Sequence, residues 1–202
     1  MPPPQGARQV TVAADRMEKW LAGFDERHGG ATSAVMADWV ELTGTDGDRA
    51  WVGIPFPPLI GSLVEHVSRA RRIGVLLVRR GGYAAGVFDG ARLVSSKVGS
   101  SYVQGATKAG GWSQQRYARR RANQATAAFA SAADGAAGVL AAAELDAFVA
   151  GGDRDAVRAV LGDRRLAHLE PGGPWLTVKD PRLRVLTAMP EQFLAVRISL
   201  VP

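Results

Sequence analysis

Cysteine is absent from this chain of 202 residues, so disulfides and thiolate metal sites are excluded. The sequence also has no run of about 18 or more apolar residues, so no transmembrane helix is predicted. Its start, Met1 to Gly6, lacks the basic and apolar blocks of a secretory signal and is predicted to be a frayed tail. Together these absences favour a reducing compartment, and a cytoplasmic protein without membrane contact is predicted.

Histidine and clustered acidic residues are scarce as well. His28, His66 and His168 are isolated, without an HExxH or other paired spacing, and each is predicted to be structural. The strand-like part of the chain carries few carboxylates, of which Asp89 lies in a turn, whereas a two-metal nuclease needs several that converge. No GxxxxGK[ST] phosphate loop is present. The sequence therefore predicts no metal site and no cofactor.

What the chain has in excess is positive charge. Lys and Arg number 25 against 19 Asp and Glu, which gives a formal charge of +6 and a pI near 10.3. Such a balance favours a polyanionic partner, above all nucleic acid, although a soluble protein that is merely basic has the same composition. Apolar residues at 47 % and charged residues at 22 % are typical of a globular protein with a core of useful size.

The N-terminal part of the sequence predicts a helix followed by a β-hairpin. Apolar residues at helical spacing from Met17 to Phe24 predict a helix over residues 15–28. Two strand-like segments around a Gly-Thr-Asp-Gly-Asp turn, residues 36–43 and 49–54, predict the hairpin, and three prolines then break the chain. The predicted organisation is a flexible tail at 1–9, a helix and hairpin layer at 10–58, and a main domain at 59–202.

The main domain begins with a predicted short helix at residues 62–71 and continues with an antiparallel meander. Apolar segments separated by Gly-Gly and Asp-Gly turns predict its three strands, at residues 73–78, 83–88 and 91–98. An apolar face of mostly small residues then predicts a long helix from Ser113. Gly135 and Gly138 are predicted to interrupt that helix near its end.

The last third predicts a strand at residues 147–150, a helix capped by Asp153 that runs through Leu161, and a final strand at residues 194–200. Three antiparallel strands, a long helix and a strand–helix–strand unit suggest one mixed sheet with helices packed on it. The predicted fold class is therefore α/β (α+β), a ribonuclease-H-like mixed sheet with packed helices, plus the N-terminal layer.

Several functional signals coincide in residues 97–124, which read KVGSSYVQGATKAGGWSQQRYARRRANQ. Gly110 and Gly111 leave no side-chain bulk, which suits a loop that enters a narrow site. Cations crowd the same segment, one before the helix and four in its first turns: Lys108, Arg116, Arg119, Arg120 and Arg121. Positive side chains at the positive end of a helix dipole are unfavourable by themselves, so this crowding predicts a bound polyanion.

The segment GGWSQQRYARRR resembles the Gly-Gly-Gln segment of the eukaryotic and archaeal class-1 translation release factors, which an Arg-aromatic-Ala-Arg helix follows. The longer segment YVQGATKAGGWSQQRYARRRANQ resembles more closely the bacterial, chiefly actinobacterial, branch of the Vms-like release factors. Those are relatives of the eukaryotic hydrolase that frees nascent chains from stalled large ribosomal subunits. The segments GVLLVRRGGYAAGVFDGARLVSSKVG and FVAGGDRDAVRAVL share the likeness, which covers about residues 60–202.

One position departs from the class-1 pattern. Glutamine directly follows Gly-Gly in those factors, whereas Trp112 stands there in this chain. The Vms-like pattern, in which the glutamine is displaced, implies a catalytic role for Gln114, with Gln115 as second choice and Gln104 as third. Trp112 either stacks on an exposed base or anchors the loop to the body of the protein.

The resemblance implies a peptidyl-tRNA hydrolase that acts as a release factor, with Gly110, Gly111 and a glutamine at the ester between peptide and tRNA. A neutral amide is no general base, so it would position water or stabilise the leaving oxygen. The implied partners are the large ribosomal subunit, its RNA and peptidyl-tRNA, with Lys108, Trp112 and the four arginines against RNA. A non-catalytic ribosome- or RNA-binding module that uses the same basic helix remains the alternative.

Overall fold

A computed structural model describes residues 2–79, 81–100 and 112–201, the side chains of residues 112–123 excepted. It contains two β-sheets and several helices and belongs to the α+β class, as predicted. The chain divides into two compact units. Unit 1 comprises Met1–Ala70 and Pro190–Pro202, and unit 2 comprises Arg71–Met189.

Unit 1 is built on an antiparallel sheet of five strands. They are β1 (Arg8–Val12), β2 (Ala31–Val35), β3 (Trp39–Gly44), β4 (Arg49–Gly53) and β9 (Val196–Val201), in the order β1-β9-β4-β3-β2. Its helices are α1 (Met17–Arg27), after a 3-10 turn at Ala14–Arg16, then α2 (Leu63–Ser68) and α6 (Pro190–Phe193). The core joins α1 and α2 to the sheet, with Met17, Val52 and Ile198 fully buried in it.

Unit 2 is built on a mixed sheet of four strands. They are β5 (Arg72–Arg79), β6 (Gly82–Asp89), β7 (Arg92–Ser100) and β8 (Ala147–Gly152), in the order β7-β6-β5-β8. The first three form the predicted antiparallel meander, and β8 lies parallel to β5. Because β6 alone is antiparallel to its neighbours, the C-terminal ends of β5, β7 and β8 lie together at one end of the strands. This end of the sheet is named the loop edge, and the last residues of the three strands there are Arg79, Ser100 and Gly152.

The helices of unit 2 cover both faces of its sheet. They are α3 (Trp112–Leu140), α4 (Arg154–Leu161) and α5 (Leu183–Thr187). Alanines and Leu140 of α3 and valines of α4 share one core with the first face. On the other face, Leu186 of α5 packs over Gly86, where an added Cβ would come within 3.0 Å of the leucine Cδ2. Asp153 caps α4 as predicted, since its carboxylate accepts from the N–H groups of Asp155 and Ala156.

α3 continues through Gly135 and Gly138, so the predicted interruption is wrong. The two glycines differ in their surroundings. Nothing lies near the position that a Cβ would take at Gly138, whereas a Cβ at Gly135 would overlap the hydroxyl and ring of Tyr83. Gly135 therefore lets the buried ring of Tyr83 on β6 lie directly against the helix backbone.

The other differences from the sequence-based expectation involve partners far apart in the chain. The predicted final strand forms as β9, but it pairs with β1 and β4 of unit 1 and not with the meander. β1 includes Arg8 and Gln9, which fell within the predicted tail, and β2 has no counterpart among the predicted strands. The compact units divide after Ala70, while the predicted boundary after residue 58 follows the prolines and remains a prediction for the functional domain.

Candidate functional site

The segment with the predicted catalytic residues joins β7 to α3. β7 ends at Ser100 on the loop edge, and α3 begins at Trp112. Four of the predicted site residues fall between these two points, outside the described residues: Gln104, Lys108, Gly110 and Gly111. The described ends of the segment therefore fix where the chain with the Gly-Gly pair leaves the sheet and where α3 starts.

The remaining predicted site residues occupy the first three turns of α3, where the structure describes the backbone. They are Trp112, Gln114, Gln115, Arg116, Arg119, Arg120 and Arg121. The two glutamines stand in the first turn, directly after the Gly-Gly pair. Because helix neighbours fall three and four residues apart, positions 116, 119 and 120 share one side of α3, and position 121 lies off that side.

α3 is packed over its C-terminal part. Among its side chains at residues 124–140, the buried ones begin at Ala132 and end at Leu140. An α-helix rises about 1.5 Å per residue, so Trp112 lies roughly 30 Å along the helix axis from Ala132. The Gly-Gly pair therefore precedes the end of α3 that lies farther from its buried part, Ala132 to Leu140. That buried part is called the anchored part of α3.

An ion-pair network holds the anchored part of α3. Arg165, which follows α4, places Nη2 2.6 Å from Oδ1 of Asp134 on α3 and 2.7 Å from Oδ2 of Asp163. Hydrogen bonding by the Arg165 guanidinium lowers the pKa of Asp163 to about 2. Hydrogen bonds to Asp163 and then Asp134 raise the pKa of Arg165. The network ties α3 to the segment that follows α4.

Tyr83 adds a second anchor at the same level of α3. Its side chain is 4 % exposed and lies against Gly135. Burial raises the pKa of Tyr83, and the negative charge of Asp134 adds to the effect. The sequence did not predict that Tyr83, Asp134 and Arg165 hold α3 in position. The one available signal was a glycine inside an alanine-rich helix, which typically has a packing reason.

Positive charge is concentrated in unit 2. Its sequence has 18 Lys and Arg against 9 Asp and Glu, whereas that of unit 1 has 7 against 10. The formal charge is therefore +9 for unit 2 and −3 for unit 1. The positive charge from which a polyanionic partner was predicted therefore lies in the unit that contains the Gly-Gly pair and α3.

One group of described residues could hold a metal ion, and it lies in unit 1. His28 Nδ1 is 2.7 Å from Oδ2 of Asp46 and 3.6 Å from Oδ2 of Asp48. The hydrogen bond with His28 lowers the pKa of Asp46, and the backbone N–H of Asp48 adds to the effect. A hydrogen bond between His28 and the β3–β4 turn accounts for this arrangement. Within the described part of unit 2 no such group occurs.

His66 is structural, as predicted. It is 1 % exposed, and its Nδ1 accepts from the backbone N–H of Ile60 at 3.1 Å. Its Nε2 lies 2.7 Å from the carbonyl oxygen of Pro55, so both ring nitrogens face backbone groups. Among the described residues, no helix combines the length and the apolar character that crossing a membrane requires.

Comparison with known proteins identifies the family. The sequence model of the Actinobacteria/chloroflexi VLRF1 release factor family matches residues 71–199. The match covers all of unit 2, including the segment between β7 and α3, and extends into β9 of unit 1. No curated protein matches the chain. The resemblance seen in the Gly-Gly segment is confirmed: the chain belongs to the Actinobacteria/chloroflexi VLRF1 release factor family.

Proposed function

We propose that this release factor is a peptidyl-tRNA hydrolase, which cleaves the ester between nascent peptide and tRNA on the ribosome or on a stalled large subunit. One observation carries the proposal: Gly110 and Gly111 immediately precede α3, and Gln114 and Gln115 follow them in its first turn. Glycines permit close approach of the backbone to the ester. An RNA-binding helix needs neither the glycine pair nor an amide beside it.

Gln114 is the proposed catalytic residue, with Gln115 as the second candidate. A glutamine amide can accept a hydrogen bond from a water molecule and donate one to the developing oxyanion or to the leaving oxygen. The water oxygen bonds to the ester carbonyl carbon, the bond from that carbon to the tRNA 3′ oxygen breaks, and a water proton ends on the leaving oxygen. The amide contributes positioning and electrostatic stabilisation, and no cofactor is required.

RNA binding is proposed for the cations around the loop and for Trp112. The cations are Lys108, Arg116, Arg119, Arg120 and Arg121. The formal charge of +9 on unit 2 supports large-subunit RNA and peptidyl-tRNA as partners. The proposed functional domain spans residues 59–202, and the proposed location is the cytoplasm, where ribosomes translate.

Release of labelled peptide from large subunits that carry peptidyl-tRNA tests the proposal. We expect release by the wild type and a loss of about 10²–10³-fold for Gln114→Ala, the size expected when one positioned donor is removed. Gln124→Ala is the matched control, because it removes the same amide from α3 roughly 15 Å further along the axis. No release by the wild type would refute the hydrolase. A defect only in Gln115→Ala would move the catalytic role to that residue.

A second candidate function is a ribosome-binding module without catalysis. Trp112 favours it, because this residue stands where class-1 factors carry glutamine. The same experiment separates the two functions when binding to the subunits is measured in parallel. Binding without release would favour the module, whereas release that depends on one glutamine would exclude it.

A further inference from the structure

A pair of arginines on the loop edge of unit 2 has no place in the function proposed so far. Arg79 ends β5, and Arg154 begins α4 just after the end of β8. Both side chains are exposed. Together with Gly152 and Trp175, which connect them, they are named the edge patch.

Trp175 holds Arg154 in place. The guanidinium carbon of Arg154 lies 4.3 Å from the centroid of the Trp175 ring, within the range of a cation–π interaction. The indole Nε1 donates to the carbonyl oxygen of Gly152 at 3.1 Å, which fixes the ring to the end of β8. Arg154 is therefore oriented before any ligand arrives, and little side-chain freedom is lost on binding.

Gly152 leaves room for the side chain of Arg79 beside the end of β8, where Trp175 is held. Its φ is +92°, a conformation that favours glycine, and an added Cβ would overlap the carbonyl oxygen of Val78. That Cβ would also come within 3.2 Å of Cδ of Arg79. The side chain of Arg79 therefore lies against the glycine whose carbonyl holds Trp175, and the two arginines belong to one continuous surface.

The charges of the edge patch are not cancelled. The ion pairs described in unit 2 involve other arginines: Arg92 with Asp89, Arg158 with Asp155, Arg165 with Asp134 and Asp163, and Arg182 with Asp180. Asp153 and Asp155 flank Arg154 in the sequence. Oδ1 of Asp153 accepts from two backbone N–H groups at 3.1 Å and so caps α4, and Asp155 pairs with Arg158. Neither Arg79 nor Arg154 has a carboxylate partner among the described residues. Two exposed arginines without such a partner, one of them oriented by Trp175, are suited to an anion.

The edge patch lies at the same edge of the sheet as the start of the Gly-Gly loop. β8 and β7 are separated by β5 and β6, so three interstrand spacings of about 4.8 Å place Gly152 roughly 15 Å from Ser100. We propose that the edge patch is a phosphate clamp for RNA, in which Arg79 and Arg154 bind the backbone of the RNA that the loop enters. This inference rests on the proposed function for the identity of that RNA.

Guanidinium chemistry and net charge favour RNA over an acidic protein segment. Each planar guanidinium can donate two parallel hydrogen bonds to one phosphate, and RNA presents phosphates at regular intervals. The formal charge of +9 on unit 2 adds long-range attraction for a continuous polyanion.

Binding to large subunits that carry deacylated tRNA tests the clamp, because this probe contains no ester and its binding is independent of hydrolysis. Arg79→Ala/Arg154→Ala should lower the salt dependence of log affinity by about 1.4–1.8, the value for two phosphate contacts. The affinity defect should be about tenfold larger at roughly 50 mM than at roughly 200 mM salt. Arg79→Lys/Arg154→Lys, which keeps both charges, should retain most of the wild-type slope.

Arg72→Ala/Arg92→Ala is the matched control. It removes two exposed arginines from the first residues of β5 and β7, at the opposite edge of the same sheet, and should leave the slope unchanged. An unchanged slope in the edge-patch variant, or an equal change in the control, would overturn the clamp. So would competition by polyglutamate in the absence of competition by polyuridine. If the wild type released no peptide while the edge-patch variant showed the expected change in slope, the hydrolase proposal alone would be refuted.

Discussion

At the scale of single residues, the carboxylate of Asp163 makes stability depend on pH. Its pKa in the folded protein is about 2, below the ordinary 3.8, because Arg165 donates to it. A lowered pKa stabilises the fold above the unfolded-state value, and this stabilisation is lost as the pH falls from about 4 to about 2. Asp163→Asn should therefore lower Tm at about pH 6, and the difference from the wild type should shrink toward about pH 2.

Thermal unfolding followed by circular dichroism across this pH range measures the effect. Asp155→Asn is the control, because it removes an exposed ion pair within α4 and is expected to change Tm little. A difference between wild type and Asp163→Asn that stays constant down to about pH 2 would contradict the assignment.

Residue roles could be predicted from the sequence where their cause is local. Asp153 caps α4 through N–H groups two and three residues ahead, so the sequence around it was sufficient. Gln114 was identified through a contiguous motif, and its catalytic role remains a proposal. The role of Gly135 depends on Tyr83, which is distant in the chain, and the edge patch needs three separate segments to meet. No spacing rule predicts contacts of that kind.

At the scale of elements, α3 depends on one glycine and tolerates replacement of another. Gly135→Ala should lower the free energy of unfolding by about 1–3 kcal/mol, because the new methyl group overlaps Tyr83 and forces the packing apart. Gly138→Ala should raise it by up to about 1 kcal/mol, because the position is open and alanine is the better helix former.

Urea unfolding of the two variants measures this contrast. The same substitution in the same helix serves as its own control, since backbone propensity alone would make both variants more stable. Equal stabilisation by Gly135→Ala and Gly138→Ala would show that Tyr83 moves away without cost.

Most elements followed from periodicity and turn residues, whereas their sheet membership did not. The meander of β5, β6 and β7 was predictable because short turns join neighbouring strands. β9 pairs with β1, which lies at the other end of the chain, so no local signal could assign it to unit 1. The continuation of α3 through two glycines shows packing overriding propensity.

At the scale of the whole molecule, the net charge conceals an asymmetry. The composition predicted a polyanionic partner but could not say which part of the chain binds it. The division into units shows where the positive charge lies, because unit 2 carries a formal charge of +9 and unit 1 carries −3. The family match also covers unit 2 in full and, within unit 1, only residues 190–199. Charge and family membership therefore point to the same unit.

This asymmetry leads to a test with two triple variants of equal charge loss. In Arg116→Gln/Arg119→Gln/Arg120→Gln, three cations leave one side of α3, and the salt dependence of log affinity for RNA should fall by about 2.1–2.7. In Arg8→Gln/Arg16→Gln/Lys19→Gln, three cations leave the net-negative unit 1, and the slope should stay at the wild-type value.

Fluorescence titration of large ribosomal subunits at several salt concentrations measures both slopes. Net charge changes equally in the two variants, so a non-specific effect of total charge predicts equal slopes. Equal reductions of the two slopes would show that affinity depends only on the total charge of the chain. A larger reduction in the unit 1 variant would place the RNA contacts in unit 1. A reduction confined to the α3 variant would assign the phosphate contacts to the helix that follows the Gly-Gly loop.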